Sequence, residues 1–361
     1  MAGARKPRGE RRWGSRLLRI VPSRPPRRPK RDLISIADLS YADIRTIFAY
    51  ARDLKSQMRA GRRPPLLAGK TMAMIFQKPS LRTRVTFDVG MTQLGGSAIY
   101  LAPHEIQPGQ RESVADIAQN LARWVDVIVA RTYEHKVLTD LARSAAVPVV
   151  NGLTDLHHPC QVLADCFTLQ ELRGGLAGMR IVFVGDGNNV AHSWLQAAAR
   201  LHFDLTIACP PGYEPEPEIV AWSCETARGQ ITVTHDPHAA VRGAEVVYTD
   251  VWTSMGQEQD AAKRRQAFRD FQVNADLIGR AAPDVLVMHC LPAHRGEEIT
   301  DEVLDGSHSI VLDQAENRLH VQKGILVWLL GNAPRAARRL GPAGSSTSRR
   351  VAVTPVRPRL A

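Results

Sequence analysis

The residues best equipped for chemistry gather in Phe76-Gln77-Lys78-Pro79-Ser80-Leu81-Arg82-Thr83-Arg84. A strand-like apolar run, 71–76, delivers the backbone to this stretch. Phe87, Met91 and Leu94, at spacings of four and three, predict a helix that leaves it and stops at Gly95-Gly96. Ser80 stands at the N-cap position of that helix. A helix start offers free N–H groups and the positive end of a dipole, so it attracts anions. Hydroxyls at Ser80 and Thr83 and cations at Lys78, Arg82 and Arg84 reinforce it here. A lone serine with a lone arginine would fit a capped, solvated helix equally well. This density of donors at a strand-to-helix turn points instead to a phosphate site.

Other polar clusters follow other apolar runs. Arg131 follows 125–130, and His157-His158-Pro159-Cys160-Gln161 follows 147–150. Asp186 and Asn188-Asn189 follow 180–184; Asp250 and Ser254-Met255-Gly256 follow 245–249; His289-Cys290-Leu291-Pro292 follows 284–288. The elements that must position them are strands alternating with helices, which predicts parallel sheets. Strand-like runs stand at 71–76, 97–102, 125–130 and 147–150 in the first half, and at 180–184, 204–208, 231–234, 245–248 and 284–288 in the second. A helix from about 159 to 172 joins the halves, another strand-like run lies near 310–312, and 319–330 forms a very apolar helix that needs a large surface to dock on. The expected fold is therefore α/β. It has two domains, each a parallel sheet flanked by helices, with a cleft between them where ligands meet the carboxyl ends of the strands.

At 361 residues, two domains are the natural reading. No apolar run approaches the roughly 20 residues that cross a bilayer. Five cysteines, none paired at metal-ligand spacing, argue against a disulfide framework and for a reducing compartment. The chain carries +11, but residues 1–31 alone carry +11 and 335–361 carry +7, so residues 32–334 carry −7. The basic character belongs to two Arg-rich ends too polar to bury a core, expected to be disordered, and any nucleic-acid reading applies to them alone. Residues 1–31 fit a mitochondrial transit peptide in arginine but not in serine; a nucleic-acid or membrane arm and a start placed upstream of the true one are the other readings. The low serine and high proline content favours the last, which makes the cytoplasm the expected location and the mitochondrial matrix the alternative.

Taken in order, these motifs resemble the aspartate/ornithine carbamoyltransferase family over about 32–333. Ser80-Leu81-Arg82-Thr83-Arg84 resembles its carbamoyl-phosphate loop, and His158-Pro159-Cys160-Gln161 its second carbamoyl-phosphate motif. Asp250-Val251-Trp252-Thr253-Ser254-Met255-Gly256 resembles the ornithine-specific loop, and His289-Cys290-Leu291-Pro292 the catalytic segment. Each motif alone is weak; four in sequence, each after a predicted strand, are specific. Gln77, Leu81 and Asp88 depart from the family's usual Glu, Thr and Glu. The resemblance implies a carbamoyl-phosphate domain at 32–165, an ornithine domain at 166–316, a helix at 317–333 returning to the first, and the second basic tail at 334–361. It also implies arginine metabolism, a homotrimer with shared sites, and no cofactor or metal.

The chemistry would divide as follows. Ser80, Leu81 through its backbone N–H, Arg82 and Thr83 suit the phosphate, where a planar guanidinium can bind two oxygens. Arg131 bridges phosphate and carbonyl oxygen, and Thr83 and His158 donate to that carbonyl as charge builds. By resemblance, Gln161 and the Leu291 carbonyl take the carbamoyl NH2, Arg318 completes the site ahead of the last helix, and Gln107 reaches a neighbouring subunit. Asn189, Ser254 and the Met255 backbone suit the amino-acid end of ornithine. Asp250 suits its side-chain amine, and Cys290 assists proton transfer, since a thiolate or carboxylate beside the amine makes it a nucleophile. His157, His289 and His294 are expected only to pack or hydrogen-bond. Two rivals remain. Gly185-Asp186-Gly187-Asn188-Asn189-Val190 partly matches a dinucleotide fingerprint, and the basic tails fit a non-enzymatic nucleic-acid binder.

Overall fold

The structure, a computed structural model, describes residues 30–106, 108–109, 111–253 and 258–331. The first half runs through α1 (Tyr41–Arg59), β1 (Thr71–Phe76), α2 (Leu81–Gln93), β2 (Ser97–Leu101), α3 (Pro103–Ile106), α4 (Val114–Trp124), β3 (Val127–Arg131), α5 (His135–Ser144) and β4 (Val149–Leu153). Helix α6 (Pro159–Arg173) leads into β5 (Arg180–Val184), α7 (Asn189–Leu201), β6 (Asp204–Ala208), α8 (Pro217–Thr226), β7 (Ile231–Thr234), α9 (Pro237–Ala240) and β8 (Val246–Thr249). The chain then passes through α10 (Ala261–Ala267), α11 (Ala275–Ile278), β9 (Leu286–His289), α12 (Asp301–Leu304) and α13 (Val311–Leu330). Among the described residues no helix is long and apolar enough to cross a membrane.

Both sheets are parallel, ordered β2-β1-β3-β4 and β7-β6-β5-β8-β9. Strand order reverses direction between β1 and β3 in one sheet and between β5 and β8 in the other. At such switch points the connections leave to opposite sides and open a crevice beyond the carboxyl ends. Phe76 pairs with Arg131 at the first, and Val184 with Thr249 at the second. The turns that follow these four residues carry most of the chemistry-bearing residues.

Each turn has a local cause. Ser80 Oγ accepts from Thr83 N at 3.2 Å and starts α2. Asn188 Oδ1 accepts from Val190 N and Ala191 N and starts α7. Pro159, with no N–H to satisfy, takes the first position of α6. The core beneath is continuous from Met74 of β1 through Phe48 and Phe167 to Trp194 and Phe183 of the second sheet. Helix α13 docks on α1, α2 and α6, as its apolar sequence required. Gly324 lets it lie close: a Cβ there would fall 2.6 Å from Ile47 O.

Three expectations need correction. Ile310-Val311-Leu312 is no strand: Ile310 caps α13 and the next two residues open it. Arg318 consequently lies inside the last helix, not ahead of it. Strands β3, β4 and β9 each begin two residues late. Val125 N still closes α4 on Leu121 O, Pro148 has no N–H for the ladder, and Val285 N turns back to Ala282 O.

Candidate active site

The two switch points face one cavity of about 720 Å³. Its first wall carries Lys78, Ser80, Leu81, Arg82 and Thr83 from the β1–α2 turn, Arg131 from the end of β3, His158 and Gln161 from the start of α6, and Arg318 from α13. Its second wall carries Asn189, Asp250, Cys290 and Leu291. Nearly all the residues singled out from sequence therefore converge. Gln107, the Ser254-Met255-Gly256 loop and the basic tails lie outside the described residues, apart from Lys30 and Arg31.

The first wall is a buried cationic cluster. Arg131 is 6% exposed and Arg318 2%. Burial, then Arg318 and Arg82, push the Arg131 guanidinium down to about 10. Burial also lowers Arg82 and Arg318. The same surroundings hold His158 well below the ordinary imidazole range: burial first, then Arg318, Arg131 and Arg82. Its ring is neutral and can donate one hydrogen bond. Arg318 donates to Gln161 Oε1 and, at 3.0 Å, to Thr83 Oγ1, which ties three helices together at the cavity floor. Three like charges held together without an anion are unfavourable, and a dianion would relieve them.

The second wall is built around Asp250. Its Oδ1 accepts from Cys290 Sγ and Val251 N, both at 2.8 Å, and its Oδ2 from Asn188 Nδ2 at 2.9 Å. Burial and the neighbouring Asp250 raise Cys290 well above the ordinary thiol range, so Cys290 is a thiol donor rather than a thiolate. Asn189 donates to Thr154 O, a bridge from the second wall to the loop after β4. Leu291 adopts φ +57°, and its N–H donates to His289 Nδ1 at 2.8 Å. His289 Nε2 meets Glu298 Oε1 at 3.1 Å, both side chains fully buried. His289 thus does hydrogen-bond, and its task is to hold the loop that presents Leu291.

Sequence reasoning gave several lining groups no site role. Thr253, Arg265, His294 and Glu297 also line the cavity. Arg264 pairs with Asp186 and donates to Trp252 O, bracing the segment after Asp250. Burial raises Asp186 to about 6, with Arg264 opposing and Asp250 reinforcing the shift. Nothing in local sequence joins residues so far apart. Among the described residues, Asp250, His289 and Cys290, and separately His294, Glu297 and Glu298, lie close enough to share a metal ion. In the first group both His289 nitrogens are already engaged, as described above.

The fingerprint rival fails sterically. Gly187 donates to Tyr213 O at 2.9 Å, and a Cβ on it would sit 2.2 Å from Pro215 N. The chain's own 213–215 segment fills the space a pyrophosphate would need.

The chain is similar to known proteins over most of its length. The model for the carbamoyl-P binding domain of aspartate/ornithine carbamoyltransferases matches residues 31–171, and that for the Asp/Orn binding domain matches 177–329. The chain is 52% identical over 304 residues to an ornithine carbamoyltransferase of Pyrococcus abyssi, covering 83% of this chain and 96% of that one. It is 51% identical to the enzyme of Pyrococcus furiosus named as anabolic, over 83% and 96%. A solved ornithine carbamoyltransferase from Pyrococcus furiosus superposes with a TM-score of 0.82 at 51% identity, over 84% of this chain and 98% of that one. With both domain models matched in order along most of its length, the chain belongs to the aspartate/ornithine carbamoyltransferase family.

Proposed function

We propose that the protein transfers the carbamoyl group of carbamoyl phosphate to the side-chain amine of L-ornithine, giving L-citrulline and phosphate. One observation carries this reading: two buried guanidiniums, Arg131 and Arg318, and the half-buried Arg82 at the start of α2 face a carboxylate, Asp250, across a single cavity. The first wall suits a dianion and the second an amine. Residues 32–165 would hold carbamoyl phosphate and 166–316 ornithine, with 317–333 returning Arg318 to the first site.

Ser80, the Leu81 N–H, Arg82 and Thr83 take the phosphate, and Arg131 spans phosphate and carbonyl oxygen. Neutral His158 and Thr83 donate to that oxygen as negative charge builds on it. Gln161 Oε1 and the Leu291 carbonyl accept from the carbamoyl NH2. Asp250 binds the ornithine side-chain ammonium and accepts its first proton, with the Cys290 thiol orienting the carboxylate. The free amine attacks the carbonyl carbon, and its second proton passes to the phosphate as the C–O bond breaks. The tetrahedral intermediate then expels phosphate, which departs with the electron pair of the broken C–O bond. Asn189, Ser254 and the Met255 backbone hold the amino-acid end. Orienting two reactants in one cleft supplies much of the barrier reduction, about 7–11 kcal/mol in well-aligned cases.

The relative named as anabolic favours a biosynthetic, arginine-forming role, and the cytoplasm is the matching location. A homotrimer is the matching assembly. Its support is a row of exposed apolar side chains on one face of α2, Leu81 (73% exposed), Val85 and Val89, beside Ile99 on edge strand β2. Bare apolar rows and open sheet edges are where chains associate. Native mass measurement tests it: three chains are expected, and a monomer would remove the shared-site role of Gln107. The function is tested by citrulline formation from carbamoyl phosphate with ornithine, beside putrescine, N-acetylornithine and aspartate. Turnover with ornithine alone is expected. Turnover with aspartate, or with no amine at all, would overturn the assignment.

A further inference from the structure

Asp165 has no part in the chemistry above, yet it is a carboxyl group at 0% exposure one helical turn after Gln161. A buried carboxyl is costly unless it does something. Residues four apart share a helix face, and Gln161 Nε2 donates to Asp165 Oδ1 at 2.8 Å. On the facing helix, Gln314 and Arg318 form a second such pair. Arg318 donates to Gln161 Oε1, and Gln314 Nε2 donates to Tyr248 OH at 3.3 Å. Gln314 and Tyr248 also face the Asp165 carboxyl.

The chemistry of these partners fixes the Gln161 amide. A guanidinium only donates, so the atom turned to Arg318 must be oxygen. The atom turned to Asp165 Oδ1 must then be the NH2. Asp165 Oδ1 serves as acceptor whether or not the group is protonated, because a proton can occupy Oδ2, which has no hydrogen-bond partner among the described residues. Burial raises this carboxyl to about 7, against the pull of Gln161, Gln314, Tyr248 and Arg318, so both forms are present near neutrality.

We propose that Asp165 is a positioning residue that locks Gln161 with its amide oxygen presented to the cavity, making the carbamoyl end of the site select a hydrogen-bond donor over a methyl group of similar size. The second lone pair of Gln161 Oε1 is then an acceptor held in place, where an NH2 gains a bond and a methyl leaves it empty. This rests on the carbamoyl-phosphate reading above. Acyl phosphates with a methyl in place of the amide NH2 are the natural decoys for such a site.

The test compares the full-length protein with Asp165→Leu, which matches the side chain in bulk but accepts nothing, and Asp165→Asn, which keeps an acceptor. The readouts are kcat and KM for carbamoyl phosphate and the competitive inhibition constant of acetyl phosphate. D165L is expected to raise KM for carbamoyl phosphate about tenfold, the loss of roughly one hydrogen bond, with acetyl phosphate inhibition nearly unchanged. Discrimination between the two then falls about tenfold, while D165N holds it within about threefold. A merely structural role would weaken both ligands equally in D165L, and that result would overturn the proposal. Loss of discrimination in D165N would do so as well. If D165L does not fold, Asp165→Ser, too short to span the contact, is expected to show the same loss, and unchanged discrimination in it refutes the lock. Wild-type protein that turns over neither acyl phosphate defeats the functional reading itself. Wild-type turnover with unaltered discrimination in the variants defeats the Asp165 proposal alone.

Discussion

Replacing Arg131 with methionine should make the empty protein more stable and its anion site worse. Arg131 is 6% exposed, its Nε has no partner among the described residues, and Arg318 and Arg82 stand beside it. Its guanidinium is pushed down to about 10 from the ordinary range. About 1.4 kcal/mol accompanies each tenfold change in proton affinity, so holding the charge at neutral pH costs the folded state on the order of 3 kcal/mol. The sign follows from linkage: a cation whose folded pKa lies below its unfolded one destabilises the fold at every pH where it stays charged. Methionine keeps the bulk of the stem and removes that cost, less any hydrogen bonds the other guanidinium nitrogens make. A net gain of about 1–2 kcal/mol should raise the unfolding temperature by roughly 2–3 °C in a chain of this size. Carbamoyl phosphate at a hundred times its wild-type Kd should stabilise the wild type by about 2.7 kcal/mol. Losing a charge-assisted pair of bonds to a dianion, worth about 2–4 kcal/mol, should cut that ligand stabilisation in R131M to below roughly 1 kcal/mol. Arg131→Lys keeps the charge and should show no gain in the empty protein. Differential scanning calorimetry with and without ligand measures both quantities. A destabilised R131M that keeps its full ligand-induced shift would make Arg131 a structural residue and refute the reasoning.

Four further outcomes follow. Asp250→Asn should lower kcat by about a thousandfold, within the range of lost proton-transfer groups, and leave the carbamoyl-phosphate thermal shift intact. Cys290→Ala, which removes only a weak donor to that carboxylate, should cost about tenfold; steady-state kinetics separates the two. Gly324→Ala should lower stability by about 1–3 kcal/mol in thermal unfolding, because its methyl would lie 2.6 Å from Ile47 O and push α13 off α1. Burial holds His157 and His320 down to about 3. Their contribution is complete above an unfolded value of about 6.5 and is lost as pH falls below it, while Asp165, raised to about 7, works in the opposite direction and offsets one of them. Each of these two histidines should therefore take about 1.4 kcal/mol of stability per pH unit between roughly pH 6 and 4, while His158, also held down, adds to the fall and Asp186, raised to about 6, opposes it. His157→Gln with His320→Gln should remove that share of the pH dependence, as read from urea midpoints.

What the sequence made legible followed from burial. Each of β1, β3, β5, β8 and β9 is a short, wholly or largely buried apolar run, so the polar residues after it stood out as an edge. Ser80 was readable as a cap because capping is local. Helix α13 was only half readable, because Gln314, Asn317, Arg318, His320 and Gln322 are all buried and erase the amphipathic pattern that marks a helix. With that signal gone, Ile310-Val311-Leu312 looked like a strand. Strand order was not legible either: nothing in β7-β6-β5-β8-β9 can be read without the crossovers. The Arg264–Asp186 and His289–Glu298 pairs join turns from separate elements and carry no local sequence signal.

The distribution of charge around the cavity explains why Asp250 is the acid suited to the amine. The described first wall presents cations and neutral groups, while the acids belong to the second. Glu297 already meets Arg265 at 3.4 Å, and Asp186, a neighbour of Asp250 outside the cavity lining, is paired with Arg264. Among the described residues Asp250 accepts only neutral hydrogens, from Asn188, Cys290 and Val251. Neutral donors keep a carboxylate in place and ionised without cancelling its charge. An arginine in the place of Cys290 would satisfy the same oxygen better and leave nothing for an incoming ammonium. A hydrogen-bonded thiol, weak and uncharged, holds the oxygen and leaves the charge to the substrate.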